Sequence, residues 1–170
     1  MRMDVRQPVI AVTLINSWTE ADLAHLLSTL GEERFARSIA RRIVQERRHR
    51  PIVTTTELAQ LISRAVPPTA RHGRLHPATR TFQALRMAVN DELGALEELL
   101  DALPLLLSPT GRAVILTFHS LEDRLVKHAF LAGQRAGRWT VLTKKPVRPT
   151  HTEITANPRV RSVKLRAVAR

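Results

Sequence analysis

Thr79, Gln83, Arg86 and Asn90 are spaced three and four residues apart in the segment HPATRTFQALRMAVNDEL, so on a helix they fall along one polar stripe. Gln and Asn each carry a donor and an acceptor in one planar amide, which suits the edge of a nucleobase. Arg suits a phosphate. The same residue types also make an ordinary solvated helix face, and on type alone that plainer reading has the better claim.

A second set follows the apolar run GRAVILTFHS, which ends in His119 and Ser120 just before the helical pattern LEDRLVKHAFL. Ligands of open α/β sheets bind at the carboxyl ends of strands, and amides at the start of a helix attract anions. His119 can exchange a proton or position a base, Asp123 and Arg124 fall within the first turn, and Ser120 is placed to cap the helix. Capping and the helix dipole alone account equally well for Ser120, Glu122 and Asp123. A serine hydrolase is disfavoured, because a nucleophile elbow needs small residues around its serine and here His119 and Leu121 flank it.

Arg34, Arg37, Arg41, Arg42, Arg47, Arg48 and Arg50 crowd one stretch, more than solubility requires, which points to an RNA backbone. A solvated face is the alternative. His72 and His76 are four residues apart, but Gly73 and Pro77 break the helix such a ligand pair would need. No metal site is assigned.

Thr19 caps a helix carrying Leu23, Leu26, Leu27 and Leu30, with Gly31 as a left-handed terminator. A second helix opens on Glu32 and Glu33, buries Phe35, Ile39, Ile43 and Val44, and stops at Pro51. Thr54 and Glu57 form a capping box for a third, ended by Pro67 and Pro68. A long helix with Pro77 in its first turn then runs to Leu103, where Pro104 closes or kinks it. At Gly111 the period changes. GRAVILTFHS reads as a strand buried on both faces, followed by a helix capped by Ser120. Two more strands are expected at Trp139 to Thr143 and Ser162 to Val168, joined by a loop from Pro146 to Pro158. In the last strand Val163, Leu165 and Ala167 alternate with Lys164 and Arg166.

The 170 residues suit about one domain with a real core. There is no apolar run of membrane-spanning length and no signal-peptide pattern, so a cytoplasmic protein is expected. The absence of cysteine removes disulfides, thiolate catalysis and cysteine-held zinc. A net charge of +12, carried mostly by arginine, implies a polyanionic partner, although an arginine-rich genome would leave the same mark. With 4% aromatic residues and no Tyr, base stacking on aromatic platforms is not the main binding device.

In order, MRMD, GEERFARSIARRIV, TTTELAQLI, HPATRTFQALRMAVNDEL, FHSLEDRLVK, LTKKP and ANPRVRSVKLR closely resemble the carboxyl-terminal half of the bacterial 16S rRNA (cytosine-N4)-methyltransferase family, the RsmH or MraW family. The resemblance spans essentially the whole chain, and the two longest blocks are its most specific part. It implies an α/β fold in which the carboxyl-terminal part of a Rossmann-like class I methyltransferase, its last three strands, follows an all-helical insert domain. Residues 1–15 would be a lead-in from the methyltransferase domain, 16–90 the helical insert on the RNA side, and 91–170 the carboxyl-terminal part. The apolar PVIAVTLIN stands where the family has a more polar lead-in.

By resemblance the activity is S-adenosylmethionine-dependent N4-methylation of a decoding-centre cytidine, and the partner is 16S rRNA or the small ribosomal subunit. The residues carried over are His119, Ser120 and Asp123 as catalytic, and His76, Arg80, Gln83, Arg86 and Asn90 with Arg37 and Arg41 for cytidine and RNA. The family holds S-adenosylmethionine with a G-x-G-G-H-S loop. No two of the six glycines here are closer than four residues, so cofactor-binding residues are expected upstream of Met1 and the chain reads as a truncated or inactive form. The strand at Ala113 to Phe118 should then have an open edge, to be covered in a homodimer or by a separate amino-terminal fragment. The alternative function is a non-catalytic RNA-binding or ribosome-assembly protein derived from the family.

Overall fold

Leu23, Leu27, Ile39, Ile43, Ile62 and Leu85 recur at helical spacing in different segments and are buried in one core, which is why the first half of the chain folds as stacked helices. The computed structural model describes every residue except Val5, Gln7, His72 and Arg74, so the expectation about the His72 and His76 pair lies partly outside the described residues. The chain forms two units, Met1–Glu92 and Leu93–Arg170.

In the first unit the described helices are α1 (Ala11–Ser17), α2 (Glu20–Leu30), α3 (Ala36–Arg47), α4 (Thr55–Ala65), α5 (Pro68–Arg71) and α6 (Thr79–Asn90). The Thr19 hydroxyl caps α2 by accepting from the Asp22 N–H at 3.1 Å, and Thr54 with Glu57 forms the expected capping box on α4. The junction between α2 and α3 departs from expectation. Gly31 is right-handed, with φ −96°, and Glu32 takes the left-handed conformation at φ 46°. Gly31 is required for a different reason: a Cβ there would lie 2.7 Å from the Leu27 carbonyl oxygen and 2.8 Å from that of Arg80. Glu32 and Glu33 precede α3 rather than opening it, and Glu33 is buried.

The long helix expected from Pro77 to Leu103 is two helices. Asp91 sits at φ 47° and ψ 46° as a left-handed cap on α6, its N–H donating to the Met87 carbonyl. Aspartate is one of the few residues that tolerates this conformation, so the apolar period continues across the break while the backbone does not. The second helix, α7 (Glu92–Leu106), carries Pro104 inside its last turn. Pro77 lies just outside α6, whose cap position is Ala78.

The second unit sets α7 and α8 (Ser120–Arg135) with a sheet of β1 (Arg112–Thr117), β2 (Thr140–Val141) and β3 (Lys164–Ala169) in the order β1-β3-β2. Both outer strands are antiparallel to β3, so β1 and β2 run parallel, joined through α8. Trp139 and Phe130 meet edge to face at 6.1 Å between ring centroids, and the Trp139 indole donates to the Phe130 carbonyl at 2.9 Å. The expectation that β1 is buried on both faces is overturned. Ala113 and Thr117 are buried, whereas Val114, Leu116 and Phe118 are exposed, because only the face toward α8 has a covering layer among the described residues of this unit. The segment from Pro146 to Pro158 is not a plain loop. It holds an isolated bridge from Val147 to Leu165 and the helix α9 (His151–Ala156), and it leads into a 3-10 turn at Pro158–Ser162. No helix among the described residues is long and apolar enough to cross a membrane.

Candidate functional site

The α6 stripe forms as its spacing requires, but its members have different surroundings. Near the amino end of α6, Glu33, Phe35, Val66, His76, Thr79 and Arg80 line an open pocket of about 410 Å³. The His76 Nδ1 accepts from the Ala78 N–H at 3.1 Å, and Arg80 donates to the Glu32 carbonyl at 2.9 Å. Glu33, with one carboxylate oxygen accepting from the Phe35 N–H at 2.9 Å, is a pocket residue that sequence reasoning misses, because its charge and position suit a solvated helix start.

Further along, Gln83 is half-buried with its amide 3.8 Å from the Met87 sulfur. Arg86 makes a bidentate pair with Glu92 at 2.7 and 2.9 Å. Asn90 grips the amino-terminal segment: its Oδ1 accepts from the Met3 N–H at 2.7 Å, and its amide nitrogen donates to the Met1 carbonyl at 2.9 Å and the Arg86 carbonyl at 2.7 Å. Asn90 thus holds Met1 and Met3 against α6.

The arginines of α3 divide into two kinds. Arg47 reaches the Ile15 and Trp18 carbonyls at 2.6 and 2.5 Å, so it satisfies the last turn of α1 and is structural. Arg37 and Arg41 are exposed and line a groove of about 620 Å³ with Ala21, Ala24 and Ser28 of α2, Arg41 lying 3.6 Å from Glu20. Small residues beside exposed cations leave room for a backbone to approach.

At the carboxyl end of β1 the cap residue of α8 is His119, and Ser120, expected to cap, is instead the first helical residue. His119 is extended at φ −143° and ψ 171°, which lets its Nδ1 accept from the Glu122 N–H at 3.4 Å. Glu122 returns the bond, accepting from the Phe118 and His119 N–H groups at 2.7 and 3.3 Å. With Nδ1 an acceptor, the neutral ring carries its hydrogen on Nε2. That atom is buried without a hydrogen-bond partner, the 3.4 Å separation from Glu122 Oε1 being poorly aligned for one.

Asp123 is buried between two cations, accepting from Arg166 Nε at 2.7 Å and from Lys164 Nζ at 2.8 Å. Burial raises its pKa, but the bonds from Arg166 and Lys164 outweigh it and hold the carboxyl below its ordinary value. Arg166, expected to alternate outward, is buried because Asp123 receives it. Asp123 therefore locks α8 onto β3.

The MraW methylase family matches this chain over residues 1–170. The ribosomal RNA small subunit methyltransferase H of Synechococcus elongatus is 52% identical over 170 residues, covering all of this chain and 55% of the relative. The protein of the same name from Nostoc sp. is 54% identical over 166 residues, covering 98% of this chain and 53% of its own length. That from Rippkaea orientalis is 53% identical over 171 residues, covering all of this chain and 54% of its own length. The chain spans about half the length of these curated relatives.

Proposed function

This chain belongs to the MraW methylase family, and from that premise we propose that it supplies the RNA-facing part of an S-adenosylmethionine-dependent methylation at N4 of a decoding-centre cytidine in 16S rRNA. The observation that carries the reading is the polar α6 stripe, carried by a chain the family matches from end to end. The arrangement of β1, α8 and β2, two parallel strands joined through a helix, supports assigning residues 91–170 to a Rossmann-like methyltransferase sheet with residues 16–90 as its helical insert.

Three glycines that could have cradled a methyl donor are crowded by the chain's own atoms. A Cβ on Gly31 would meet backbone oxygens, on Gly111 the Ser108 backbone, and on Gly133 the Trp139 ring. None of these three is open to a donor loop. The proposed contribution is to the nucleobase. The lone pair of a cytosine N4 amine is delocalised into the ring, so its reactivity depends on how the base is held once it is taken out of its stack. Gln83 offers an amide to the base edge, Arg37 and Arg41 hold backbone phosphates, and His76 and Arg80 line the adjoining pocket. Arg86 and Asn90 act as positioning residues through Glu92 and the Met1–Met3 segment. In the second unit His119 presents Nε2 as a donor, with Ser120 beside it and Asp123 fixing α8.

The test titrates the 170-residue chain with decoding-region RNA and, separately, with S-adenosylmethionine. RNA binding that weakens on Gln83→Ala and on joint Arg37→Gln and Arg41→Gln replacement is expected, with no donor binding by these residues alone. A chain that binds no decoding-region RNA overturns the proposal.

A further inference from the structure

Lys144, Lys145, Arg148, Arg159 and Arg161 lie in the connection between β2 and β3, all exposed, and none has a side-chain hydrogen bond or ion pair with the described residues. The one carboxylate in this stretch, Glu153, is already occupied, accepting from the Thr150 N–H at 2.7 Å and its hydroxyl at 2.9 Å. A connection serving only solubility would mix signs along its length. This one sets five exposed cations against a single carboxylate.

The cations stand on a fixed frame. Val147 and Leu165 exchange backbone hydrogen bonds at 3.0 and 2.9 Å, and Thr143 Oγ1 accepts from the Ala167 N–H at 2.9 Å. The Thr150 and Glu153 capping box holds α9, Asn157 Oδ1 accepts from the Arg159 N–H at 3.2 Å, and Pro146, Pro149 and Pro158 stiffen the path. A preorganised set of charges loses little entropy on binding.

The sheet register places the frame. Thr117, the last residue of β1, is the register partner of Lys164, the first of β3, so the connection enters β3 at the end of the sheet where β1 leads into His119. We propose that the β2–β3 connection is an RNA-backbone contact surface of the second unit, additional to the α3 arginines. It rests on the RNA-facing reading above and deepens it. RNA is favoured over an anionic membrane because the connection has no exposed large apolar side chain besides Leu142 and Val147 to insert into lipid, and the family's named relatives act on ribosomal RNA.

The experiment measures binding of labelled decoding-region RNA by the 170-residue chain across a salt series. One variant joins Arg148→Gln, Arg159→Gln and Arg161→Gln. A control of equal charge change joins Arg112→Gln, Lys127→Gln and Arg135→Gln, which are exposed positions elsewhere in the same unit. The first variant is expected to bind about tenfold more weakly, with the slope of log K against log salt reduced by about 0.7 to 0.9 for each phosphate no longer neutralised. The control should change little, and both should unfold at the parent's midpoint. Equal losses in the two triples would show a net-charge effect and overturn the proposal. So would tighter binding to phosphatidylserine vesicles than to RNA. An unchanged first variant, with binding still weakened on Arg37 and Arg41 replacement, overturns this inference alone, whereas no RNA binding by the parent removes both readings.

Discussion

His119 performs a cap's work with an imidazole, accepting from the Glu122 N–H through Nδ1 while Nε2 stays buried without a hydrogen bond, 3.4 Å from Glu122 Oε1. Asparagine offers an acceptor at a similar reach, so His119→Asn should retain the cap. His119→Ala should lose about 1 kcal/mol in urea unfolding. RNA affinity that falls in both variants, while stability falls in only one, would assign Nε2 to the ligand rather than to the helix. Asp123 poses the opposite case, since its two cation bonds explain it as an anchor. Asp123→Asn would leave the buried Arg166 unpaired, at a loss of about 3 kcal/mol by the same measurement. The folded pKa of Asp123 lies below 3.8, so the lock is complete above the unfolded carboxyl's pKa and is lost as pH falls through the folded value. Parent and Asp123→Asn stabilities should therefore converge in acid, below about pH 4, and stay apart at neutrality.

Elements are legible in the sequence where their signals are local. Thr19 and the Thr54 with Glu57 box mark helix starts that the structure keeps, and the periods of α2, α4 and α6 follow from their apolar residues. The break at Asp91 is hidden because one left-handed residue leaves the apolar period almost intact, and the α9 capping box is masked by the prolines around it. The burial of Arg166 is illegible in β3 itself, since its partner lies 43 residues away on α8. The stripe on α6 can be read as a set, yet the use of Asn90 to hold Met1 and Met3 depends on hydrogen bonds spanning 89 and 87 residues. Two substitutions test the junctions that sequence alone conceals. Asp91→Val should destabilise by about 1 to 2 kcal/mol, because a branched side chain resists the left-handed conformation, while Asp91→Gly should not. Gly133→Ala would drive a Cβ into the Trp139 ring, so α8 must move off β2. A shift in Trp139 fluorescence with a loss of about 1 to 3 kcal/mol is expected.

At the scale of the whole molecule the second unit carries a sheet whose outermost strand is also among its most apolar. Among the described residues β1 pairs with β3 alone, which leaves its other edge without a partner strand. Val114, Leu116 and Phe118 are 58%, 54% and 55% exposed on the uncovered side. An apolar strand with a free edge is a pairing template, and the relatives' chains are nearly twice as long as this one, so a covering layer has room to come from elsewhere. For the 170 residues alone, a second copy is the partner always at hand, and concentration-dependent self-association is the expected behaviour in sedimentation velocity. Leu116→Lys puts a charge on the exposed face without disturbing a buried neighbour, so it should shift the population to monomer and leave the unfolding midpoint unchanged. A separately expressed segment corresponding to the rest of a relative's chain should compete with self-association if it covers the same edge. A parent chain that stays monomeric at every concentration would show that the edge is already protected, and the pairing argument would fail with it.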